Sequence, residues 1–207
     1  MAGLTEIRDE QLLRMMQAGD EDAFTTLYRR LQGGIYRFVL GVSGSAPLAE
    51  DVTQEVFMAL IEDNRGYDPA RGSLAAYLLG MARHYALRFL KRDRTYVPIP
   101  QAGDGSMDSG ELPLSSCEDP HSAMSRRETV HSVQQAILSL PGHYREAVVL
   151  CDLNEMSYED AASVLGCSVG TVRSRLHRGR ALLIQKLSGR DRAEAAKEAI
   201  NPNRCLA

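Results

Sequence analysis

Between Thr171 and Arg190 every ionised side chain is basic: Arg173, Arg175, Arg178, Arg180, Lys186 and Arg190, with no Asp or Glu among them. A merely solvated helix face mixes both signs. A one-signed stretch opening with Ser168 and Thr171 matches the phosphates and base edges of duplex DNA instead. A second constellation, Asp51, Gln54, Glu55, Met58 and Glu62, falls on one side at helical spacing. It would repel nucleic acid, so it must face elsewhere, and a basic protein surface suits it. A third interleaves Tyr77, Met81, Tyr85 and Phe89 with Arg83, Arg88, Lys91, Arg92 and Arg94. Rings on which bases stack, with cations for phosphates, suit single-stranded or distorted nucleic acid, although most of this four-residue stripe should belong to the core. The His residues and carboxylates form no nucleophile, base and orienter at recognisable spacing, so the expected chemistry is recognition, not catalysis. Cys117, Cys151, Cys167 and Cys205 include no C-x-x-C pair. A zinc site from Cys117, His121 and His131 is conceivable but disfavoured, and neither metal nor cofactor is expected.

The basic stretch is positioned by a helix-turn-helix over 157–187. Ser157 followed by Asp160 resembles a capping box with Asp in place of Glu, starting a short helix to about Val164. Leu165-Gly166-Cys167 is the turn, with Gly166 free to adopt positive φ. Ser168 caps the second helix, which is worth about 1 kcal/mol. Ala162, Gly166 and Val172 carry the packing between the two, while Leu176, Leu183 and Leu187 give the second helix a buried side.

The acidic face lies on a helix over 49–63, whose opposite side (Val52, Val56, Ala59, Leu60) packs inward and which Asn64-Arg65-Gly66 stops. Upstream, apolar residues from Leu12 to Leu31 recur at three and four, interrupted near Gly19-Asp20. A further helix covers 34–42, with a turn over 41–47. Ser73 can cap the aromatic–basic helix, which runs to about Arg94. Past residue 122, helices are expected over 126–138 and 144–152, separated by Pro141-Gly142. After Gly189 an Ala/Glu/Lys-rich tail runs to Asn201-Pro202. No useful β alternation appears, so the fold class is all-α.

Between the two blocks, residues 98–122 hold four Pro, three Gly and five acids without one Lys or Arg. Such composition cannot bury enough apolar surface to offset its ordering entropy, and it reads as a linker. The expected organisation is 5–96, linker 97–124, 125–188 and tail 189–207. A formal net charge of −3 over 207 residues excludes a generally basic nucleic-acid binder and leaves local patches. No apolar stretch approaches the roughly 20 residues of a membrane span, and Met1 to Glu10 is polar without a signal-peptide core. A cytoplasmic protein is expected, with no membrane insertion and no small-molecule substrate.

Taken in order, Asp9-Glu10-Gln11-Leu12-Leu13, Gly19-Asp20-Glu21-Asp22-Ala23-Phe24-Thr25-Thr26-Leu27-Tyr28 and Ala49-Glu50-Asp51-Val52-Thr53-Gln54-Glu55-Val56-Phe57 resemble region two of bacterial sigma-70-type factors of the extracytoplasmic-function (ECF) group. Leu140-Pro141, Tyr158-Glu159-Asp160-Ala161-Ala162 and Gly170-Thr171-Val172-Arg173-Ser174-Arg175-Leu176 resemble their region four. The likeness spans about 9–186. It implies a promoter-specificity subunit acting with core RNA polymerase. Asp51, Gln54, Glu55 and Met58 would dock on the β′ clamp helices. Arg71, Arg83, His84, Arg88, Lys91 and Arg92 would serve −10 opening and the non-template strand. Region four would bind the β flap and read the −35 element through Arg173, Ser174, Arg175, His177 and Arg178, with Ser168 and Thr171 near phosphates. It also implies an anti-sigma partner.

The chain departs from the family in two respects. Relatives often carry Trp after the Phe57 segment and near Tyr77; this chain has none, and Leu60-Ile61 and Tyr77 are expected to stand in. His84 replaces a common Asn, altering the donor and acceptor pattern beside the pocket for an extruded base. The alternative reading, a stand-alone helix-turn-helix regulator, accounts for 157–187 but leaves the faces of the first block idle.

Overall fold

Asp20 accepts a hydrogen bond from the Ala23 N–H at 3.0 Å and starts α2, Glu21–Ser43, after α1, Asp9–Gln17. The structure is a computed structural model that describes residues 7–62, 66–95 and 120–200, with side chains over 7–62, 66–92 and 129–188. Where a separate helix was expected over 34–42, α2 runs through Gly33-Gly34 without interruption. Leu27, Ile35, Phe38, Val39 and Val42 are all buried along one side of it. Burying each such side chain contributes roughly 1.5–3 kcal/mol, against about 1 kcal/mol for a helical glycine. Packing wins, and the helix stops only at Gly44, whose φ of +74° is left-handed.

Helix α3, Ala46–Glu62, starts three residues earlier than the sequence suggests. Pro47 is tolerated because it lies in the first turn, where its missing N–H has no partner to lose. Ser45 completes the cap, accepting from the Leu48 N–H. Residues 63–65, which hold part of the expected stop signal, lie outside the described residues. A 3-10 turn, Pro69–Arg71, leads to α4, Leu74–Thr95, which Ser73 caps by accepting from the Ala76 N–H at 3.2 Å, as expected. Helix α2 lies against α1, α3 and α4, and the four form the first bundle.

The second half begins with α5, Pro120–Leu138, six residues before its expected start. Most of the expected linker lies outside the described residues. Helix α6, Gly142–Val148, passes into a π-helical turn, Val149–Leu153, where a single helix to Asp152 was expected. Then come α7, Tyr158–Leu165, and α8, Val169–Ile200. All described elements are helical.

The two halves share one core. Leu27, Phe38, Leu74 and Leu78 of the first belong to the same buried cluster as Val149, Leu150, Ala161 and Val172 of the second. A smaller cluster, Leu140, Val148 and Leu176, holds α6 against α8. In the aromatic corner of the first bundle, Tyr28 lies 4.7 Å from Phe57 and Leu60 is fully buried. Ile61, expected to share the place of a missing Trp, is instead 51% exposed, because α3 turns that position to solvent. Tyr77 packs on Tyr67 at 5.6 Å.

Candidate nucleic-acid interface

The helix-turn-helix is built from its caps outward. Ser157 Oγ accepts from the Asp160 N–H at 3.0 Å, which ends one orphan donor of α7. The reciprocal half of a capping box does not form. Asp160 turns its carboxylate to the first bundle, where Ser73 Oγ donates to Oδ2 at 3.1 Å. Gly166 takes φ +62° and turns the chain. Ser168 Oγ accepts from the Thr171 N–H at 3.2 Å and shares a hydrogen bond with Thr171 Oγ1 at 2.9 Å. Val172 and Leu176 are buried, so the opposite side of α8 must face outward. At Gly179 a Cβ would meet Val148 Cγ2 at 2.8 Å, so α6 crosses α8 too closely there for any side chain.

On that outward side Ser168, Arg173, Ser174, His177 and Arg178 are exposed, while Thr171 and Arg175 are half-buried. Arg173 lies over the Tyr158 ring at 5.6 Å. Arg175 turns back toward the turn, its Nη1 3.8 Å from Cys167 Sγ. Arg180 differs from its neighbours: it grips Asp152 with Nε at 3.1 Å and Nη2 at 2.5 Å. Its pKa is raised, first by that hydrogen bond and then by the carboxylate's charge.

On α4 the aromatic stripe is half-buried, packed on the core rather than within it. Tyr77, Met81 and Tyr85 line a cavity of about 380 Å³ with Tyr67, Arg71 and His84. Its far wall comes from α7, through Ser163 and Val164. His84 is exposed at the rim, edge-on to Tyr85 at 6.0 Å. Arg71, Arg88, Lys91 and Arg92 are exposed. Arg83 is not: Nε and Nη2 pair with Glu146 of α6 at 3.1 and 3.2 Å.

The acidic face of α3 has the expected geometry. Asp51, Gln54 and Met58 are exposed, Glu55 is half-buried, and Val52, Val56 and Leu60 point inward. Met58 and Ile61, each 51% exposed, give this face an apolar component. Among the described residues, no group of three or more His, Cys, Asp or Glu could hold a metal, and no helix is long and apolar enough to cross a membrane. Cys117 and Cys205 lie outside the described residues.

Comparison with known proteins bears on what these faces serve. Residues 27–95 match the family described as Sigma-70 region 2, and residues 131–183 match Sigma-70, region 4. The RNA polymerase sigma-H factor of Pseudomonas aeruginosa is 36% identical over 86% of this chain and 92% of its own length. The ECF RNA polymerase sigma-E factor of Escherichia coli K12 is 32% identical over 88% and 95%. This chain belongs to the ECF sigma factors of the sigma-70 family.

Solved structures agree on the fold of this sigma factor. CnrH in complex with the cytosolic domain of CnrY superposes with a TM-score of 0.63 at 23% identity, over 87% of this chain and 97% of that one. The sigma factor RpoE of Bartonella quintana, in complex with the anti-sigma factor NepR, gives 0.58 at 24% identity, over 80% and 96%. Beyond the expected residues, the sigma factor's two regions are tied by groups that no motif marks. Arg145 of α6 donates Nη1 to the Val42 carbonyl of α2 at 2.6 Å and Nη2 to the carbonyls of Leu138 and Leu140. Burial lowers its pKa. The contacts of Glu146 with Arg83 and of Asp160 with Ser73 were not visible in the sequence, because an acid in a helix reads as surface until its neighbours are known.

Proposed function

We propose that this sigma factor divides promoter recognition between its two regions and works as a specificity subunit rather than as an enzyme. In this reading the exposed face of α8 reads the −35 element in the major groove. Arg173, Ser174, His177 and Arg178 face base edges, Arg175, turned back toward Cys167, adds positive charge behind them, and Ser168 and Thr171 face phosphates. Helix α4 and the turn before it serve the −10 element, with Arg71, Arg88, Lys91 and Arg92 on phosphates and Arg83 joining them. A base extruded from the −10 strand would enter the cavity of Tyr77, Met81 and His84; extrusion costs a few kcal/mol, so a fitted pocket makes opening sequence-selective. Asp51, Gln54, Glu55 and Met58 of α3 dock on the β′ clamp helices of core polymerase, and region four engages the β flap. The units are 5–96 and 125–188, joined by 97–124 and followed by the tail 189–207. The protein acts in the cytoplasm and is held in check by an anti-sigma protein.

The observation that carries this reading is the outward side of α8. Capped by Ser168 and fixed from behind by Val172 and Leu176, it presents basic side chains without a single acid between Thr171 and Ser188. The test is in vitro transcription with purified core polymerase on a library of upstream regions from the source genome. Promoter-dependent initiation only in the presence of this chain supports it. Duplex binding by the chain alone, with no initiation from any fragment in the presence of core, would favour a stand-alone regulator.

A further inference from the structure

Glu146 lies in α6 between Arg145 and the buried Ala147, and is itself only 6% exposed. A carboxylate so placed costs several kcal/mol unless paired and hydrogen-bonded. Both of its oxygens are taken by Arg83 of α4, from the other region, in a fork geometry with 3.1 and 3.2 Å contacts. That is the geometry in which an arginine holds a phosphate. We propose that Glu146 is a phosphate mimic in cis: it occupies the guanidinium of Arg83 while the regions are together, so that region four and a DNA strand compete for the same side chain. The proposal rests on the reading of Arg83 as a −10 contact.

Three further observations fit a contact built into the chain. Ser73, which caps α4 next to the expected −10 turn, donates a hydrogen bond from its hydroxyl to Asp160 of α7. Ser163 and Val164 of the same helix wall the cavity beside His84. Gly41 has no left-handed φ to justify it within α2, yet a Cβ there would meet Val149 Cγ2 at 2.9 Å and Cγ1 at 3.0 Å. A glycine in a helix interior costs about 1 kcal/mol relative to alanine. Its use here is close approach of the two regions. Two acids and one glycine, from three different helices, thus meet the opposite region at close range.

The consequence is competition between closure and strand binding. The apparent affinity for a strand falls by the fraction of molecules that are open. The test uses the full chain, a fluorescein-labelled 30-nucleotide oligothymidine as the single-stranded probe, and small-angle X-ray scattering for the separation of the regions. Glu146→Gln removes the charge and keeps the shape. It should increase the radius of gyration and tighten probe binding by roughly tenfold or more. Arg83→Ala should abolish that gain when combined with Glu146→Gln. Arg83→Glu with Glu146→Arg should restore the compact form without restoring strand binding, which also guards against a variant that merely misfolds. If Glu146→Gln leaves both radius and affinity unchanged while Arg83→Ala still weakens the probe, the mimicry is overturned and the −10 role of Arg83 stands. If Glu146→Gln opens the molecule but adding Arg83→Ala to it has no effect on the probe, the −10 reading of Arg83 fails, and the mimicry with it.

Discussion

Arg88 of α4 reaches Glu55 of α3, its Nη2 3.3 Å from Oε1. The face expected to meet polymerase and the face expected to meet the promoter strand therefore share an edge. Both partners are substantially exposed, so the pair is weak and screened by salt. Its interest is positional: a charge change at Glu55 is felt on both faces, whereas Asp51 lies a full helical turn away along α3.

Asp51→Lys is accordingly the clean probe of polymerase docking. It should weaken association with core polymerase by about tenfold or more while leaving binding to duplex DNA unchanged. Glu55→Lys should disturb both, because it sets a cation beside Arg88. Fluorescence anisotropy with labelled sigma factor and core measures the first property, and a mobility shift measures the second. Equal effects of Asp51→Lys on both would contradict the assignment of this face.

Arg173→Ala and Arg178→Ala should act in the opposite sense. Each loses promoter-dependent initiation with core association intact. A lost base contact costs roughly 1–3 kcal/mol and relaxes preference at one position, while a lost phosphate contact lowers the salt slope by about one. Titrations at several salt concentrations on wild-type and mutated −35 sequences separate the two.

Leu176→Ala removes a side chain that is 2% exposed and shared by α6 and α8. A loss of about 2–5 kcal/mol is expected, against less than about 0.5 kcal/mol for Arg178→Ala on the solvent side. Denaturant unfolding of the two variants tests whether the reading face of α8 is energetically separate from its support.

Gly41→Ala pits local gain against tertiary loss. Alanine favours the helix by about 1 kcal/mol, but its methyl meets the stiff, β-branched Val149. The two regions should loosen, seen as faster cleavage by a glutamate-specific protease at Glu111 and Glu118, and Val149→Ala in the same chain should reverse the effect. Unchanged cleavage would show that Val149 yields without cost.

Burial raises the pKa of the Cys151 thiol above its ordinary 9.0, and Asp152 adds to this while Arg180 opposes it. The folded thiol thus keeps its proton to higher pH than the unfolded one. Its contribution to stability is present below about pH 9 and is lost as pH rises through the folded value. Alkylation by iodoacetamide at pH 7.5, followed by peptide mapping, should find Cys151 slow in the native protein and fast in urea. Equal rates would show that the site is open.

Local signals in the sequence sufficed for whatever depends on neighbours in the chain. Ser73, Ser157, Gly166 and Ser168 cap and turn as expected, because a cap needs only the next three residues. The outward and inward sides of α3 and α8 followed from helical period. Three things were not legible. The stretch 34–42 was read as a helix of its own, but it continues α2, because the tertiary burial of Ile35 and Phe38 overrides the local preference of Gly33-Gly34. Arg83 was legible as a cation for DNA, while its partner lies 63 residues away in sequence. Asp160 fitted a capping box by spacing, yet its carboxylate is claimed by Ser73 across the molecule. Local chemistry can nominate a side chain; which of several suitors holds it depends on the fold.

Arg145 distributes its bonds unevenly, with two carbonyls in its own half, Leu138 and Leu140, and one in the other, Val42. Parting the halves would leave the Val42 oxygen to water and keep the guanidinium seated on the end of α5, where a cation suits the helix terminus. The joint is therefore a peg that stays in its own piece. Of its three carbonyl partners only Val42 lies across the joint, so the loss of that one bond would leave the end of α5 still tied to α6.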